Sequence, residues 1–428
     1  MGDGMTTIRR MTAVALALGA VFGSGARAAG PWISETGGAD MGLAGAGRAA
    51  LALDPAALSA NPASLADLGS SEVTLAAVPL KLDYTFRGED GYTGHARNHD
   101  GGTILPAVYG VARRGDWALG FGAYSGFGLS FDHGRDWEGA RTVSQAGVAT
   151  VNVGPSVAWQ AGERVSLGAS IVAQWARPDF QLDVANDAAY YGPPANLPDG
   201  HLEFRGDDWA TAAQLGANVE VRPGLRVGAS WTSPVEHRVA LDVEGHDLHP
   251  VLGLLLPPDG VAKLRFTTPQ QVMLGATWSA TEATLLAAGA NWQDWSRFGA
   301  ARLSMPGYAA DVFPAGLRDT WGASLGVRHA LDDRWTLASG VAYESSPAPS
   351  AGVPIYFPVA EQWRLAGGLE REVSDALRLR ASLTVMLQGD TRVVQAMHPL
   401  PVPGIPTYTG RYADTRVYAL GVGADFRL

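Results

Sequence analysis

The sequence predicts an all-β transmembrane barrel of about fourteen antiparallel strands, with a small N-terminal hatch segment plugging the lumen. Three observations indicate this fold. From Ser71 onward, segments alternate with period two, so that large apolar residues and small or polar residues fall on opposite faces. Short and long connections alternate along the whole chain, which a soluble β-sandwich has no reason to do. A Gly- and Ala-rich stretch without alternation precedes the first strand.

The N-terminus, residues 1–28, has the features of a secretory signal peptide. An arginine pair precedes the apolar run Met11–Phe22, and Ala26-Arg27-Ala28 is a small-x-small cleavage site. The mature chain is therefore expected to begin at residue 29 or 30. Beyond this point no run approaches the roughly 18–20 apolar residues that a spanning helix needs.

Residues 29–70 are predicted to be the hatch. Their central stretch, Gly30–Leu68, is apolar, carries few charges and is too short to fold as a domain of its own. Such a segment must bury its apolar residues against other parts of the chain, and the lumen of a barrel is a place where it can do so. An energy-coupled receptor is unlike this chain, because the plug of such a receptor is a folded domain.

Residues 71–428 are predicted to form the barrel. Hairpin turns such as Arg114-Gly115 and Pro223-Gly224 contain the Gly, Pro or polar residues that tight turns require. An even strand number places both ends on the periplasmic side, and closure avoids unpaired backbone groups in lipid. The predicted strands span residues 71–87, 99–113, 116–131, 142–160, 163–180, 202–222, 225–241, 262–279, 283–298, 317–331, 334–346, 361–373, 376–391 and 409–427.

Composition and aromatic placement agree with a barrel in the outer membrane of a Gram-negative bacterium. The charged fraction is 17%, the net charge of −10 disfavours nucleic acid, and the absence of Cys excludes disulfides and thiolate metal sites. Aromatic residues cluster near strand ends, as interfacial girdles do. They are Trp117, Trp159, Trp278, Trp292, Trp321, Trp335, Trp363 and Phe426.

The predicted external connection at residues 242–261 carries an aliphatic run where polar residues are expected. We interpret this run as a capture site for a lipid-like ligand, together with tyrosines of the preceding long loop. The alternative is that the loop folds back on these tyrosines as a small core, and both interpretations can hold together. The capture residues are Val251, Leu252, Leu254, Leu255, Leu256, Tyr190 and Tyr191.

Basic residues on lumen-facing positions could anchor a carboxylate. Parity places six bases inward, of which Lys263, Arg265 and Arg364 are the candidate anchors. For any single base we favour pairing with lumen acids such as Glu370 or with hatch carboxylates, because buried charges are normally paired. The other inward bases are Arg328, Arg378 and Arg380.

The sequence patterns that could indicate catalysis or cofactor binding have the wrong structural context or the wrong spacing. Gly322-Ala323-Ser324-Leu325-Gly326 matches the G-x-S-x-G pattern but lies mid-strand, whereas that chemistry needs a strand–turn–helix. The glycines of Gly42–Gly47 have the wrong spacing for a dinucleotide loop. The histidines are scattered without metal-ligand spacing. We expect no enzyme activity, no cofactor and no metal.

Over essentially the whole mature chain, the sequence resembles the FadL/TodX family of outer-membrane transporters of long-chain fatty acids and hydrocarbons. Asn61-Pro62-Ala63 is similar to the family's NPA motif, next to the Gly/Ala-rich Gly42–Ala50. Gly126-Phe127-Gly128-Leu129 followed by Trp137 and Arg141 is similar to its P-F-G-L…W-x-G-R pattern, with glycine in place of proline and one extra residue before the arginine.

The resemblance implies a fourteen-stranded barrel, an N-terminal hatch and a kink in the third strand that opens the wall sideways. Gly126, Phe127 and Gly128 are the expected kink, since glycine marks bulges and close approaches. Asn61, Pro62 and Ala63 are expected to contact the wall, at the point where hatch and third strand communicate.

The leading hypothesis is therefore passive transport of a long-chain fatty acid or another hydrophobic small molecule. The ligand would be captured at external loops, bound in the lumen and released sideways, with rearrangement of Gly30–Leu68 lowering its affinity. The alternative is a general porin for polar solutes, and the choice between fatty acid and hydrocarbon stays open. As partners we expect outer-membrane lipid, lipopolysaccharide and the barrel-assembly machinery, around a monomer.

Overall fold

The wall consists of fourteen antiparallel crossings, which confirms the predicted fold class. The computed structural model describes residues 29–32, 36–92, 94–194, 197–395 and 408–428, so the predicted signal peptide lies outside the described residues. In chain order the strands are β1 Ala29–Trp32, β2 Glu72–Glu89, β3 His95–Arg97, β4 Thr103–Arg114, β5 Trp117–Tyr124, β6 Phe127–Asp132, β7 Gln145–Gln160, β8 Val165–Val184, β9 Gly200–Arg205, β10 Asp208–Arg222, β11 Leu225–Thr232, β12 Val235–His246, β13 Ala262–Thr268, β14 Gln271–Ser279, β15 Thr284–Gln293, β16 Arg302–Met305, β17 Tyr308–Asp311, β18 Thr320–Ala330, β19 Trp335–Glu344, β20 Gln362–Ser374, β21 Leu377–Gln388, β22 Thr391–Gln395 and β23 Tyr408–Arg427.

The barrel closes where β2 pairs with β23, from Glu72 opposite Arg427 to Glu89 opposite Thr409. Six crossings are split into two pieces: β3/β4, β5/β6, β9/β10, β11/β12, β13/β14 and β21/β22. Two of the breaks contain proline, at Pro234 and Pro269, which has no N–H to donate to a strand ladder. The break between β13 and β14 reverses the facing of the strand, and together with the break between β5 and β6 it shapes the site described below.

Alternation along the strands separates a lipid face from a lumen face. On β21, Leu379, Leu383 and Leu387 are exposed, whereas Arg378 and Arg380 on either side of Leu379 are buried. Exposed aromatic side chains form two bands on the outer surface, one near each end of the barrel. Trp117 stacks on Trp159 in the band near the short turns, and the other band lies near the long loops. The band on the external side includes Trp209, Trp292, Trp321 and Trp363.

The external loops contain more structure than the sequence predicts. The predicted strand 283–298 ends at Gln293 and is followed by the helix Trp295–Phe298, and β12 continues to His246 into a predicted loop. The predicted loop 299–316 contains the hairpin β16–β17. Two further short helices are Ala188–Tyr191 and Pro250–Leu255. No helix among the described residues is long and apolar enough to cross a membrane.

Residues 36–68, which we call the luminal segment, contain three short 3-10 helices: Ala39–Leu43, Pro55–Ser59 and Pro62–Asp67. The second and third begin with proline, after Asp54 and Asn61, whose side chains accept backbone N–H bonds as N-caps. Most of the segment is buried. A chain this short and apolar is ordered because the wall surrounds it.

Candidate functional site

Inward-facing glycines of the wall let the luminal segment approach the strand backbone. A Cβ at Gly340 would lie 2.0 Å from the carbonyl oxygen of Leu43, and a Cβ at Gly228 would lie 2.0 Å from that of Ala49. Any side chain there would push the segment away. Such glycines occur on ten of the fourteen crossings: Gly120, Gly122, Gly168, Gly216, Gly228, Gly275, Gly289, Gly326, Gly340, Gly368 and Gly421. The segment therefore touches the wall around most of its circumference.

Asn61 is fully buried and joins the luminal segment to the wall. Its Nδ2 donates to the Ala49 carbonyl and, at 2.9 Å, to Asn218 Oδ1 on β10. Its Oδ1 accepts from Ala63 N at 2.9 Å. A Cβ at Gly216 would lie 1.8 Å from Asn61 Oδ1, so β10 is shaped around this amide.

The position of Asn61 corrects one expectation. Asn61, Pro62 and Ala63 contact the wall, but at Gly168 of β8 and Gly216 of β10 rather than at the third crossing. The contact with the third crossing comes from apolar side chains of the segment. Leu65 and Leu58 lie against Gly120 and Gly122 of β5.

Buried ion pairs tie the periplasmic half of the segment to the last strands. Arg380 pairs with Asp54 of the segment and, at 2.9 Å, with Asp425 of β23. Arg378 pairs with Asp425 at 2.9 Å and donates to the carbonyl of Leu53. Burial raises the pKa of Asp54 to about 6, against the opposing effect of the two guanidinium groups. These inward bases are held by Asp425 of the wall and by Asp54 of the luminal segment, the kind of pairing that we favoured from the sequence.

The third crossing is interrupted at Ser125-Gly126, between β5 and β6. β5 pairs with β4 from Val108 to Arg114, whereas β6 leaves β4 and pairs with β7. Side chains replace ladder bonds at the break: Ser125 Oγ donates to the carbonyl of Thr150 at 2.8 Å, and Phe127 N donates to Thr150 Oγ1 at 3.2 Å. The predicted kink residues Gly126, Phe127 and Gly128 thus lie at a break in the wall.

The free edge of β6 is covered by the N-terminal strand. β1 pairs antiparallel with β6, with Ala29 opposite Leu129 and Trp32 opposite Phe127. Among the described strands, the first residues of β4, Thr103–Ala107, pair with β2 alone. The wall is therefore open between β4 and β6, and β1 lies beside this opening.

An apolar cavity of about 130 Å³ lies beside the break, on its external side. Phe127 and Phe131 of β6, Phe266 of β13 and the loop residues Phe298 and Phe357 line it. Phe127 packs on Phe298 with ring centroids 5.3 Å apart. Among the described lining residues the one charged side chain is Asp179, which pairs with Arg205 at 3.0 Å. Phe127 also borders a smaller cavity of about 50 Å³, which polar and apolar side chains line together.

The predicted capture residues divide between an exposed and a packed group. Leu254 is 87% exposed and Val251 is exposed, whereas Leu252 is buried in an apolar cluster against which Leu256 also packs. Tyr191 stacks on His249 with ring centroids 5.4 Å apart. The side chains of Tyr190 and Leu255 lie outside the described part of the structure. The loop thus forms a small core and also exposes aliphatic side chains.

Two of the three candidate carboxylate anchors point away from the lumen. Lys263 and Arg265 lie on the outer face, so their predicted inward orientation is wrong. The break at Pro269-Gln270 reverses the facing: Val272 and Leu274 point outward on β14, and Lys263 and Arg265 point outward on β13. Arg364 does face the lumen, where it pairs with Glu344 at 2.8 Å.

Comparison with known proteins decides the family. A family model described as "Outer membrane protein transport protein (OMPP1/FadL/TodX)" matches residues 19–427. The chain belongs to the FadL/TodX family. It is 24% identical over 398 residues to a long-chain fatty acid transport protein of Escherichia coli, covering 85% of this chain and 87% of the relative.

Solved structures support the same fold. A Pseudomonas aeruginosa FadL homologue matches with a TM-score of 0.79 at 18% identity, covering 93% of this chain and all of the homologue. The Pseudomonas putida toluene transporter TodX matches with a TM-score of 0.66 at 18% identity, covering 87% and 94% of the two chains. Like other members of the FadL/TodX family, this chain is an outer-membrane transport protein and not an enzyme.

The sequence analysis did not identify two features of this FadL/TodX member: the wall glycines and the aromatic cluster that lines the cavity. A signal for the glycines exists: glycine is depleted in strands, yet Gly216, Gly228 and Gly275 lie on lumen-facing positions in mid-strand. The residues of the aromatic cluster come from separate loops. No local pattern connects Phe298 with Phe357, so their contact depends on the closed barrel.

Proposed function

We propose that this chain carries hydrophobic molecules passively across the outer membrane, with capture at external loops, binding in the apolar cavity and lateral exit beside β6. The observation that carries the proposal is the position of the cavity. It lies next to the break between β5 and β6, and Phe127 belongs to both. A ligand leaving the cavity on this side would meet the opening that β1 covers.

The size and chemistry of the cavity support a small apolar ligand or part of a longer one. A cavity of about 150 Å³ lined by aliphatic and aromatic side chains can hold benzene, so about 130 Å³ is near the size of one ring or a short alkyl stretch. No described lining residue is a base, so we propose that the cavity holds a neutral group. A toluene-like molecule fits this description, and so does a fatty acid tail whose carboxylate stays outside.

Release requires a change in shape. Burying one CH₂ contributes roughly 0.8 kcal/mol, so a long acyl chain in a rigid apolar site would bind by ten kcal/mol or more and leave slowly. We propose that movement of the luminal segment and β1 reshapes the site, because Leu58 and Leu65 of the segment lie directly against β5. A polar-solute porin has less support, because the luminal segment fills the lumen at the level of the wall glycines. The monomeric state and insertion by the barrel-assembly machinery stay predictions.

A cavity-filling substitution tests the binding site. Ala301 lines the cavity and is 2% exposed, whereas its neighbour Ala300 is exposed. Ala301→Trp is expected to weaken binding of toluene and of dodecane by at least tenfold in purified protein, and Ala300→Trp is the matched control. Equal binding by the Ala301→Trp variant and the unmodified protein would rule out this cavity as the site.

A further inference from the structure

Three arginines form a row on the outer face of the wall, above the external aromatic band. Arg238 of β12 lies directly opposite Arg265 of β13, and Arg265 lies directly opposite Arg302 of β16. Opposed residues in antiparallel strands point to the same face. Arg238 and Arg265 are 75% and 63% exposed, and Arg302 is exposed as well. Lys263, two residues from Arg265, adds a fourth outward cation.

The row is short of compensating acids. Like charges directly opposite each other destabilise a sheet. Glu236 is shared by two arginines, at 2.6 Å from Arg238 and 2.8 Å from Arg265. Within the described part of the chain, Arg302 and Lys263 form no ion pair, although Asp311 faces Arg302 across the hairpin. A third outward carboxylate, Asp242, lies two residues beyond Ala240, the residue opposite Lys263. Four cations against three carboxylates leave one positive charge on a chain whose net charge is −10.

The row lies above the hydrocarbon layer. Arg265 is seven residues before Val272, which pairs with Trp231 and Trp292 in the external aromatic band. At about 3.3 Å per residue and a tilt near 45°, that separation is roughly 16 Å along the membrane normal. In a Gram-negative outer membrane, phosphorylated sugars of lipopolysaccharide occupy this height around a barrel.

We propose that Arg238, Arg265, Arg302 and Lys263 bind phosphate groups of lipopolysaccharide on the outer face of the barrel. A guanidinium group binds phosphate through paired N–H donors, and strand spacing of about 4.8 Å places the outer two arginines of the row about 10 Å apart. A phosphate between them would relieve the repulsion that the register imposes. The site faces away from the apolar cavity, so it does not depend on the proposed transport function.

The chain contains its own matched control. A second row of exposed arginines runs across β2, β23 and β22, where Arg87 lies opposite Arg411 and Arg411 opposite Arg392. Here the acids balance the bases, because Asp414 pairs with Arg87, and Glu89 and Asp390 pair with Arg411. The two rows share geometry and differ in net charge, so only the first should attract phosphate.

The test compares three proteins purified in detergent: the unmodified chain, R238Q/R265Q/R302Q and the control R87Q/R411Q/R392Q. Binding of rough lipopolysaccharide, the same lipopolysaccharide after phosphatase treatment, and inorganic phosphate is measured by calorimetry. We expect the first triple variant to bind rough lipopolysaccharide at least tenfold more weakly and the control to stay within twofold. Phosphatase treatment should abolish the difference.

Three results would overturn the proposal. The first triple variant could bind lipopolysaccharide like the unmodified chain, or both triple variants could lose affinity equally. Inorganic phosphate could also bind as tightly as the glycolipid, which would indicate a free-anion site. Heat-modified migration on gels checks that each barrel is folded. If the triple variant does not fold, the single variant Arg302→Gln is used, since Arg302 has no ion pair to lose among the described residues.

Discussion

Replacing Asn61 by alanine should loosen the luminal segment from the wall without opening the barrel. The substitution removes an N-cap and two donated hydrogen bonds, to the Ala49 carbonyl and to Asn218 Oδ1. Loss of the cap costs about 1 kcal/mol. Each buried acceptor left without its donor costs about 1 kcal/mol at the low end of the range. The combined effect is about 3 kcal/mol, which corresponds to roughly 100-fold more frequent local opening.

Hydrogen exchange followed by mass spectrometry measures this effect on peptides covering residues 47–66. The barrel strand β20 serves as an internal reference, because its exchange should not change. Asn98→Ala is the matched control: Asn98 also makes three hydrogen bonds, with Leu82, Asp100 and Asp132, but in an external segment.

Asn61→Asp separates the cap from the donors. Aspartate keeps an oxygen for the N–H of Ala63 but offers no donor to Ala49 or Asn218, so it should lose about 2 kcal/mol, which corresponds to roughly 30-fold more frequent opening. Exchange of the Asn61→Asp variant at the rate of the unmodified protein would refute the reasoning, because the donated bonds would then contribute nothing.

Three further predictions concern the glycines, a buried histidine and the external loop. Gly340→Ala would place a Cβ 2.0 Å from a backbone carbonyl of the luminal segment and should speed exchange there, whereas Gly367→Ala, with nothing closer than 4.0 Å, should not. Burial lowers the pKa of His133 to about 3, below its unfolded value of 6.5, so the unfolded loop binds more protons. The free energy that holds the connection between β6 and β7 folded should therefore fall by about 2 kcal/mol between pH 7 and pH 5. Faster proteolysis of this connection at pH 5 would show the loss, and His133→Gln should remove the pH dependence. Leu254→Ser should slow association of a hydrophobic probe at unchanged stability, whereas Leu252→Ser should make the loop protease-sensitive, since Leu252 is buried.

The fold was predictable because a barrel repeats one local pattern. On β21 the alternation of Leu379 and Leu383 with Arg378 and Arg380 is visible in the sequence and gives the correct facing. On β13 the same reasoning failed, because two residues at Pro269-Gln270 interrupt the strand and reverse the parity of Lys263 and Arg265. Alternation specifies a face only within an uninterrupted strand.

The site was less predictable because it depends on contacts between distant segments. The NPA motif identified Asn61 as a wall contact, but its partner Asn218 is 157 residues away and no local pattern connects them. The cavity likewise combines Phe127 with Phe298 and Phe357 from separate loops. The pairing of β1 with β6 leaves no trace in the sequence, since four residues carry no period.

The measurement that tests the central claim most directly is a reversible tether between β1 and β6. Cysteines at Trp32 and Phe127, which face each other in register, would be joined by a disulfide in the oxidised protein. Uptake of a hydrophobic probe into vesicles is then compared before and after reduction of the same sample. Lateral exit beside β6 requires uptake to stop in the oxidised protein and to return on reduction. Equal uptake in both states would contradict the account.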